Sequence, residues 1–314
     1  MNRIAPWMSS FALSVCLVVV SRGMAAAQDA ATAEAPAAAA PKVILEEGLV
    51  YSSPDGQELK LDLARPAGDG PFPAIVFIHG GGWYLGDRGN YRNSIEEAAK
   101  RGYFAATVSY RLMKFDAKQK DTATATPTFP AQVHDVKAAV RWLRANAARY
   151  HIDPDRIGAT GASAGGHLSL MLGLTDADAK LEGDGGNPEQ SSRVQAVVNV
   201  FGPTEMASAQ KKSTLHWLFR LFLNGTPDEA AETYKAASPL TYVSSDDPPV
   251  LTLQGDLDPI VPVDQATKLD AAMKAAGAPH TLNLYKDQKH GFTGHYRQQE
   301  HTDMWEFFDE HLKK

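Results

Sequence analysis

Residues 160–170, "TGASAGGHLSL", place a single serine, Ser163, among glycine and alanine. A short apolar run precedes this segment, and a helix is predicted over residues 164–174. The pattern Gly161-x-Ser163-x-Gly165 between a strand and a helix is typical of a sharp turn that exposes a serine hydroxyl above the sheet edge. A helix-capping serine beside close-packed glycines gives the same letters. The segment alone does not decide between a nucleophile and a cap.

The chain around this segment alternates between apolar strands and amphipathic helices. Strands are predicted at residues 59–63, 74–78, 104–110, 157–161, 194–200, 249–254 and 281–285. Helices are predicted at residues 93–101, 164–174, 263–276 and 303–312, with another beginning at Ala131. This alternation predicts an α/β fold in which a mostly parallel sheet carries helices on both faces.

Composition narrows the class of protein. Of 314 residues, 44% are hydrophobic and 22% are charged, as in ordinary globular proteins. The net charge is −6 and no long basic run occurs, which argues against nucleic acid as a partner. The sequence contains no His-Glu-x-x-His or comparable metal-ligand spacing, so we expect neither a metal nor an organic cofactor.

The N-terminus has the pattern of an export signal. Arg3 precedes an apolar run over residues 11–20, and Ala25 and Ala27 fit the small-x-small cleavage pattern. We predict a signal peptide over residues 1–27 and a periplasmic or secreted protein. The apolar run is too short to span a bilayer comfortably, so we expect no stable membrane insertion.

Cleavage after Ala27 would remove Cys16, the only cysteine, and leave a mature protein without disulfides. Residues 28–42 are mostly alanine and are predicted to form a disordered linker. Residues 43–314 are predicted to form one α/β domain.

A glycine loop follows the predicted strand of residues 74–78, in the segment "HGGGW" (His79 to Trp83). Three glycines allow the backbone amides to turn inward, and Gly81 and Gly82 together with Ala164, after the serine, could hold a developing oxyanion. A merely flexible glycine loop is the alternative. His79 is expected to order this loop by hydrogen bonding.

Two apolar features lie near these motifs. Trp83 is a candidate wall of a substrate-binding cleft, and its alternative role is a packing anchor. Residues 215–223, "LHWLFRLFL", could form a lid over the cleft or a core-packed helix.

A serine nucleophile needs a base, and the base needs an orienting acid. The serine turn and the glycine loop resemble those of α/β-hydrolases, and this resemblance implies that the acid and then the histidine follow the serine along the chain. His290 lies after the predicted strand of residues 281–285, in a loop, and is the predicted base. Asp256 and Asp258 both follow the strand of residues 249–254; we predict Asp258 as the acid and Asp256 as a turn-capping residue.

The motifs "HGGGW", "GASAGG", "GDLDPIVP" and "KHGF" resemble those of α/β-hydrolase esterases. The branch concerned contains carboxylesterases, acetylxylan and feruloyl esterases and relatives of hormone-sensitive lipase. The resemblance extends over residues 48–308 and implies an α/β-hydrolase fold and a serine hydrolase with the triad Ser163, Asp258 and His290. One departure is Gln254-Gly255, where many relatives have His-Gly.

The function expected from these features is hydrolysis of short-chain or plant-polysaccharide-derived carboxylic esters through an acyl-enzyme. The expected partner is a small-molecule ester, with an oligosaccharide ester as one form of it. Two alternatives stay open: an arylformamidase or amidase of the same fold, and a non-catalytic binding module.

Overall fold

The computed structural model describes residues 42–119 and 124–313. The predicted signal peptide and all of the predicted linker except Lys42 lie outside the described residues, as does Cys16. The strands are β1 (Val43–Ser52), β2 (Leu59–Pro66), β3 (Phe72–Ile78), β4 (Phe104–Val108), β5 (Ile152–Ala162), β6 (Ala196–Val200), β7 (Val250–Gly255) and β8 (His280–Tyr285). The helices are α1 (Arg92–Lys100), α2 (Ala131–Ala145), α3 (Ala147–Tyr150), α4 (Ala164–Leu174), α5 (Met206–Lys212), α6 (His216–Phe222), α7 (Ala231–Ala236), α8 (Asp264–Ala276) and α9 (His295–Leu312).

These eight strands form one sheet in the order β1-β2-β4-β3-β5-β6-β7-β8. Strands β1, β2 and β4 pair antiparallel, and every pairing from β4 through β3 to β8 is parallel. The predicted α/β sheet is therefore confirmed. Because parallel strands share one direction, the loops after β3, β5, β7 and β8 all leave the same edge, which is where such sheets bind ligands.

Helices cover both faces of the sheet, because the parallel strands are apolar on both sides. Helices α1 and α9 pack on one face through side chains that include Ile95, Trp305 and Phe308. The other face carries α2, α4 and α8, with Val136 and Leu168 among the buried side chains. These two apolar layers hold the strands in place. The strand ends in turn position the loops at the carboxyl edge of the sheet.

Several elements differ from the sequence prediction: α3, α5 and α7 were not predicted, β5 begins at Ile152 instead of residue 157, and two further differences have a clear cause. Strand β1 was not predicted, because its apolar alternation breaks where the register with β2 shifts between Glu46 and Leu49. Helix α9 begins at His295, eight residues before the predicted start at residue 303, because its first two turns are almost entirely polar and carry no apolar stripe.

Candidate active site

Ser163 occupies a strained turn between β5 and α4. Its backbone has φ 57° and ψ −118°, a conformation that non-glycine residues rarely adopt. Gly161 and Gly165 make the turn possible, because a Cβ on either residue would overlap the carbonyl oxygen of Ile78 on β3. The Ser163 N–H donates to the Val200 carbonyl at 2.9 Å, which fixes the turn to β6. This geometry is the sharp strand-to-helix turn that the motif predicted.

Three distant segments of the chain converge at this serine. His290, in the loop after β8, has its Nε2 2.9 Å from the Ser163 hydroxyl oxygen. Its Nδ1 lies 2.7 Å from Oδ2 of Asp258, in the loop after β7. The Asp258 side chain is buried and that of His290 is 17% exposed, so a buried carboxylate holds an imidazole that stays partly accessible to solvent. The structure thus brings together the three residues predicted as nucleophile, base and acid.

The loop after β7 orients the Asp258 carboxylate. Its Oδ1 accepts the backbone N–H groups of Ile260 at 2.8 Å and Val261 at 2.9 Å. The Gln254 amide donates to the Val261 carbonyl at 3.0 Å and reaches Asp258 Oδ2 at 3.4 Å. Asp256 makes no such contact with His290: its backbone N–H donates to Tyr285, and its buried Oδ1 has no hydrogen-bond partner among the described residues. Asp258 is therefore the carboxylate that orients the imidazole.

The glycine loop after β3 lies beside Ser163. Gly81 has φ 108° and Gly82 has φ 59°, so both adopt the left-handed region that glycine allows. The Gly81 carbonyl accepts the N–H groups of Tyr84 at 3.2 Å and Leu85 at 2.9 Å, which turns this carbonyl into the loop. Ala164 begins α4, where the first N–H groups have no acceptor within the helix. Gly81 and Gly82 line the same cavity as Ser163, and Ala164 directly follows Ser163 in the chain.

Trp83 and His79, at the two ends of the segment "HGGGW", both stack on other aromatic rings. Trp83 adjoins the cavity, but its side chain is buried, stacked on Phe222 with ring centroids 4.1 Å apart. It therefore has the packing role that the sequence left as an alternative. His79 behaves as predicted: its Nδ1 lies 2.8 Å from the Gly80 carbonyl and its ring stacks on Tyr110.

An apolar cavity of about 360 Å³ opens in front of Ser163 and His290. Its remaining lining, beyond the glycine loop, includes Phe201, Pro203, Leu215, Leu218, Phe219, Ile260 and Val261. Leu215, Leu218 and Phe219 belong to the segment predicted as either a lid or a core helix. These three side chains line the cavity, and Phe222 of the same segment is buried against Trp83 as in a core-packed helix. Such a lining favours an apolar group next to the nucleophile.

Sequence reasoning missed Phe201, Pro203, Ile260 and Val261 as cavity residues. Phe201 and Pro203 lie in no motif, and the motif that contains Ile260 and Val261 was used only to identify the acid. It also missed His167, whose buried ring contacts Trp83. Burial lowers the pKa of His167 to about 4, and burial also lowers the pKa of His79. Both histidines are thus neutral near pH 7, and neither lies in hydrogen-bond contact with the Ser163 hydroxyl in the described part of the chain.

Two further properties concern the described residues only. Among residues 42–119 and 124–313, no group of three or more His, Cys, Asp or Glu side chains is arranged to hold a metal ion. Over the same ranges, no helix combines the length and apolarity needed to cross a membrane.

Comparison with known proteins agrees with the fold. The model of the BD-FAE family matches residues 61–273. Esterase LipC of Mycobacterium tuberculosis is 29% identical over 241 residues, which are 72% of this chain and 57% of LipC. The chain spans about half the length of the curated relatives it matches.

Two solved structures are similar over most of the chain. A truncated carbohydrate esterase from gut microbiota is 30% identical with a TM-score of 0.72, covering 90% of this chain and 100% of that one. The esterase Est2 of Thermogutta terrifontis is 28% identical with a TM-score of 0.69, covering 86% and 92%. Est2 has also been solved with propionate, with butyrate and phosphorylated by paraoxon. The prediction of an α/β-hydrolase fold is confirmed.

Proposed function

Because the chain belongs to the BD-FAE family, we propose that it is a serine hydrolase of carboxylic esters. The observation that carries the proposal is the hydrogen-bonded path from Asp258 through His290 to the Ser163 hydroxyl, with distances of 2.7 Å and 2.9 Å. This path ends at an apolar cavity of about 360 Å³ beside a glycine loop. A hydroxyl activated in this way attacks acyl carbons.

In the first half of the reaction, the Ser163 oxygen attacks the ester carbonyl carbon while His290 Nε2 takes the hydroxyl proton. Asp258 accepts the Nδ1–H of His290, fixes the tautomer that can act as a base, and stabilises the imidazolium. The imidazolium then gives its proton to the departing alkoxide. The products are an acyl group on Ser163 and a free alcohol.

The carbonyl oxygen becomes negative in this step and needs donors. We assign the N–H groups of Gly81, Gly82 and Ala164 to it, each contributing on the order of 3 kcal/mol to lowering the barrier. In the second half, His290 takes a proton from water, whose oxygen attacks the acyl carbon. The tetrahedral intermediate collapses to a carboxylic acid, and the proton returns to Ser163.

The substrate class we propose is a short-chain carboxylic ester, with the acyl group in the cavity beside Phe219 and Val261. The binding of propionate and butyrate by the related Est2 supports a small acid. A plant-polysaccharide fragment is the proposed carrier of the ester, supported by the relative described as a carbohydrate esterase.

If the predicted signal peptide directs export, the protein meets such polymers outside the cytoplasm. Mass spectrometry of the protein from culture supernatant or periplasm tests export, since cleavage after Ala27 gives a chain that begins at Gln28.

The proposed function is tested by hydrolysis of p-nitrophenyl acetate, followed by a panel of butyryl, octanoyl and feruloyl esters and an arylformamide. We expect the wild type to hydrolyse the short esters best and the Ser163→Ala variant to lose at least about 10³-fold in kcat. Faster hydrolysis of the arylformamide would favour the amidase alternative. Absence of turnover with retained ligand binding would favour a binding module.

A further inference from the structure

Trp83 of the glycine loop and His167 of helix α4 are joined by a buried hydrogen bond of 3.3 Å. We propose that His167 is a positioning residue of the proposed hydrolase: through Trp83, its imidazole holds the glycine loop in register with Ser163. This inference rests on the proposed function, because its effect is measured on ester hydrolysis.

The contacts of His167 determine its tautomer. The indole Nε1 of Trp83 can only donate, so Nδ1 of His167 must accept. The carbonyl oxygen of Ala237 can only accept, so Nε2 of His167, 2.8 Å away, must carry the proton. The ring is fully buried. Its two hydrogen bonds fix a single tautomer, in which Nδ1 accepts and Nε2 donates. The burial that lowers the pKa of His167 to about 4 keeps it in this neutral form.

The backbone of Trp83 needs such an anchor. Its φ is 61°, which is strained for a bulky residue and persists only where the surroundings determine it. Three of its contacts contribute to that determination: the His167 hydrogen bond, stacking on Phe222 at an interplanar angle of 3°, and a hydrogen bond from the Met113 N–H to the Trp83 carbonyl at 2.9 Å. Of these three, the first is the one that reaches the helix that begins at the nucleophile.

His167 is placed to couple the loop to the nucleophile. Its backbone N–H donates to the Ser163 carbonyl at 3.0 Å, in the first turn of α4. Trp83 directly follows Gly82, so a rotation at Trp83 moves the Gly82–Trp83 peptide and, through Gly82, displaces the adjoining peptides that carry the proposed loop donors. Displacements of about 1 Å in such groups can cost about 10²-fold in rate. One imidazole therefore connects the turn that holds the hydroxyl to the loop that holds the oxyanion.

Two substitutions at His167 separate its two bonds. The His167→Asn variant keeps an amide oxygen as an acceptor near the position of Nδ1, facing Trp83. The His167→Gln variant instead keeps an amide donor near the position of Nε2, facing Ala237. We expect His167→Gln to lose about tenfold or more in kcat and His167→Asn to stay within about threefold, with KM unchanged in both. Affinity for an aryl trifluoromethyl ketone, which forms an oxyanion on Ser163, should fall in parallel with kcat.

A second variant tests the same hydrogen bond if the His167 variants fail to fold. Trp83→Phe removes the indole donor and keeps an aromatic ring, and we expect it to lower kcat by about tenfold. In the double variant with His167→Gln the losses should not add, because both changes break the same bond. The control is His280→Gln: the His280 side chain is also buried and has two side-chain partners, Thr252 and Asp270, but it lies at the opposite, amino edge of the parallel sheet. It should change the melting temperature and leave kcat unchanged.

All rates are taken per active site, counted by titration with paraoxon. Equal loss of kcat in His167→Asn and His167→Gln, or additive losses in the double variant, would overturn the inference while wild-type esterase activity upheld the proposed function. Variants that change only the melting temperature would overturn it in the same way. A folded wild type that hydrolyses no ester would overturn the proposed function and the inference together.

Discussion

Leu218 of helix α6 lies so close to Gly82 of the glycine loop that a methyl group on Gly82 would overlap a Leu218 methyl carbon. Leu218 also lines the cavity in front of Ser163. The helix that covers the site is therefore packed directly on the loop that is proposed to stabilise the oxyanion. The Leu218 side chain therefore lines the cavity and leaves no room for a side chain at position 82.

Shortening this side chain should widen the acyl preference. In Leu218→Ala we expect the octanoate-to-acetate ratio of kcat/KM to rise by about tenfold, because a longer acyl chain fills the space that the leucine leaves. The measurement is kcat/KM for a series of p-nitrophenyl esters.

The matched control for that change is Leu221→Ala on the same helix. Leu221 is buried but is not among the cavity-lining residues. Both variants should lose about 2–5 kcal/mol of unfolding free energy, as buried leucines do. Only Leu218→Ala should alter the ester preference; an equal shift in both would contradict the assignment of the acyl pocket.

The carboxylate that orients His290 can be tested within one loop. Asp258→Asn should lower kcat by about 10⁴-fold with little change in KM, because the amide favours the wrong imidazole tautomer. Asp256→Asn, two residues away, should leave kcat within about threefold, since it is Asp258 that contacts His290. Steady-state kinetics of both variants on p-nitrophenyl acetate decide the point, and reversal of the two effects would show that the acid was wrongly identified.

The nucleophile turn depends on its glycines for steric reasons. Gly165→Ala would drive a methyl group into the Ile78 carbonyl, and we expect a loss of about 1–3 kcal/mol or more in unfolding free energy. Gly186→Ala is the control, because a methyl group there meets only the Tyr51 carbonyl at 3.6 Å. Urea denaturation should show a change within about 0.5 kcal/mol for the control. A Gly165→Ala protein as stable as the wild type would contradict the close approach of the turn to β3.

Acid should destabilise the fold through His167. Its pKa is about 4 when folded and rises to the ordinary value of 6.5 on unfolding. Between these values the unfolded chain binds a proton that the folded protein does not, so stability falls as the pH drops from 6.5 toward 4. The contribution reaches about 3 kcal/mol at about 1.4 kcal/mol per pKa unit. The difference in unfolding free energy between wild type and His167→Asn should shrink across this range; a difference independent of pH would contradict a buried neutral imidazole.

The local motifs were predictable because each depends on adjacent residues. Ser163 lies between a strand and a helix. The glycines around it indicate a turn too tight for a Cβ, and this pattern can be recognised in the sequence. His290 and Asp258 were predictable from chain order and from loops after apolar strands. Both aspartates follow the same strand, and Asp258 was chosen because Asp256 suited a turn-capping role; the resemblance implied the same acid.

Most of the cavity lining was not predictable, because its walls converge only in three dimensions; residues 215–223 were the exception, as a possible cover of the cleft. Phe201 follows β6, Leu218 lies on α6 and Val261 follows β7, and no sequence pattern connects them. The inward direction of the Trp83 indole likewise depends on its positive φ and on Phe222, which lies far along the chain from the ring it stacks on. Tertiary packing decided these features, and local propensity did not.

The central claim is that Ser163 forms a covalent acyl intermediate with the help of His290. Rapid mixing with p-nitrophenyl acetate, quenching in acid and peptide mass spectrometry test it most directly. The account predicts a burst of about one p-nitrophenol per active site and a single acetylated peptide carrying the modification on Ser163. Undiminished turnover in Ser163→Ala, or an acetyl group confined to another residue during turnover, would contradict it.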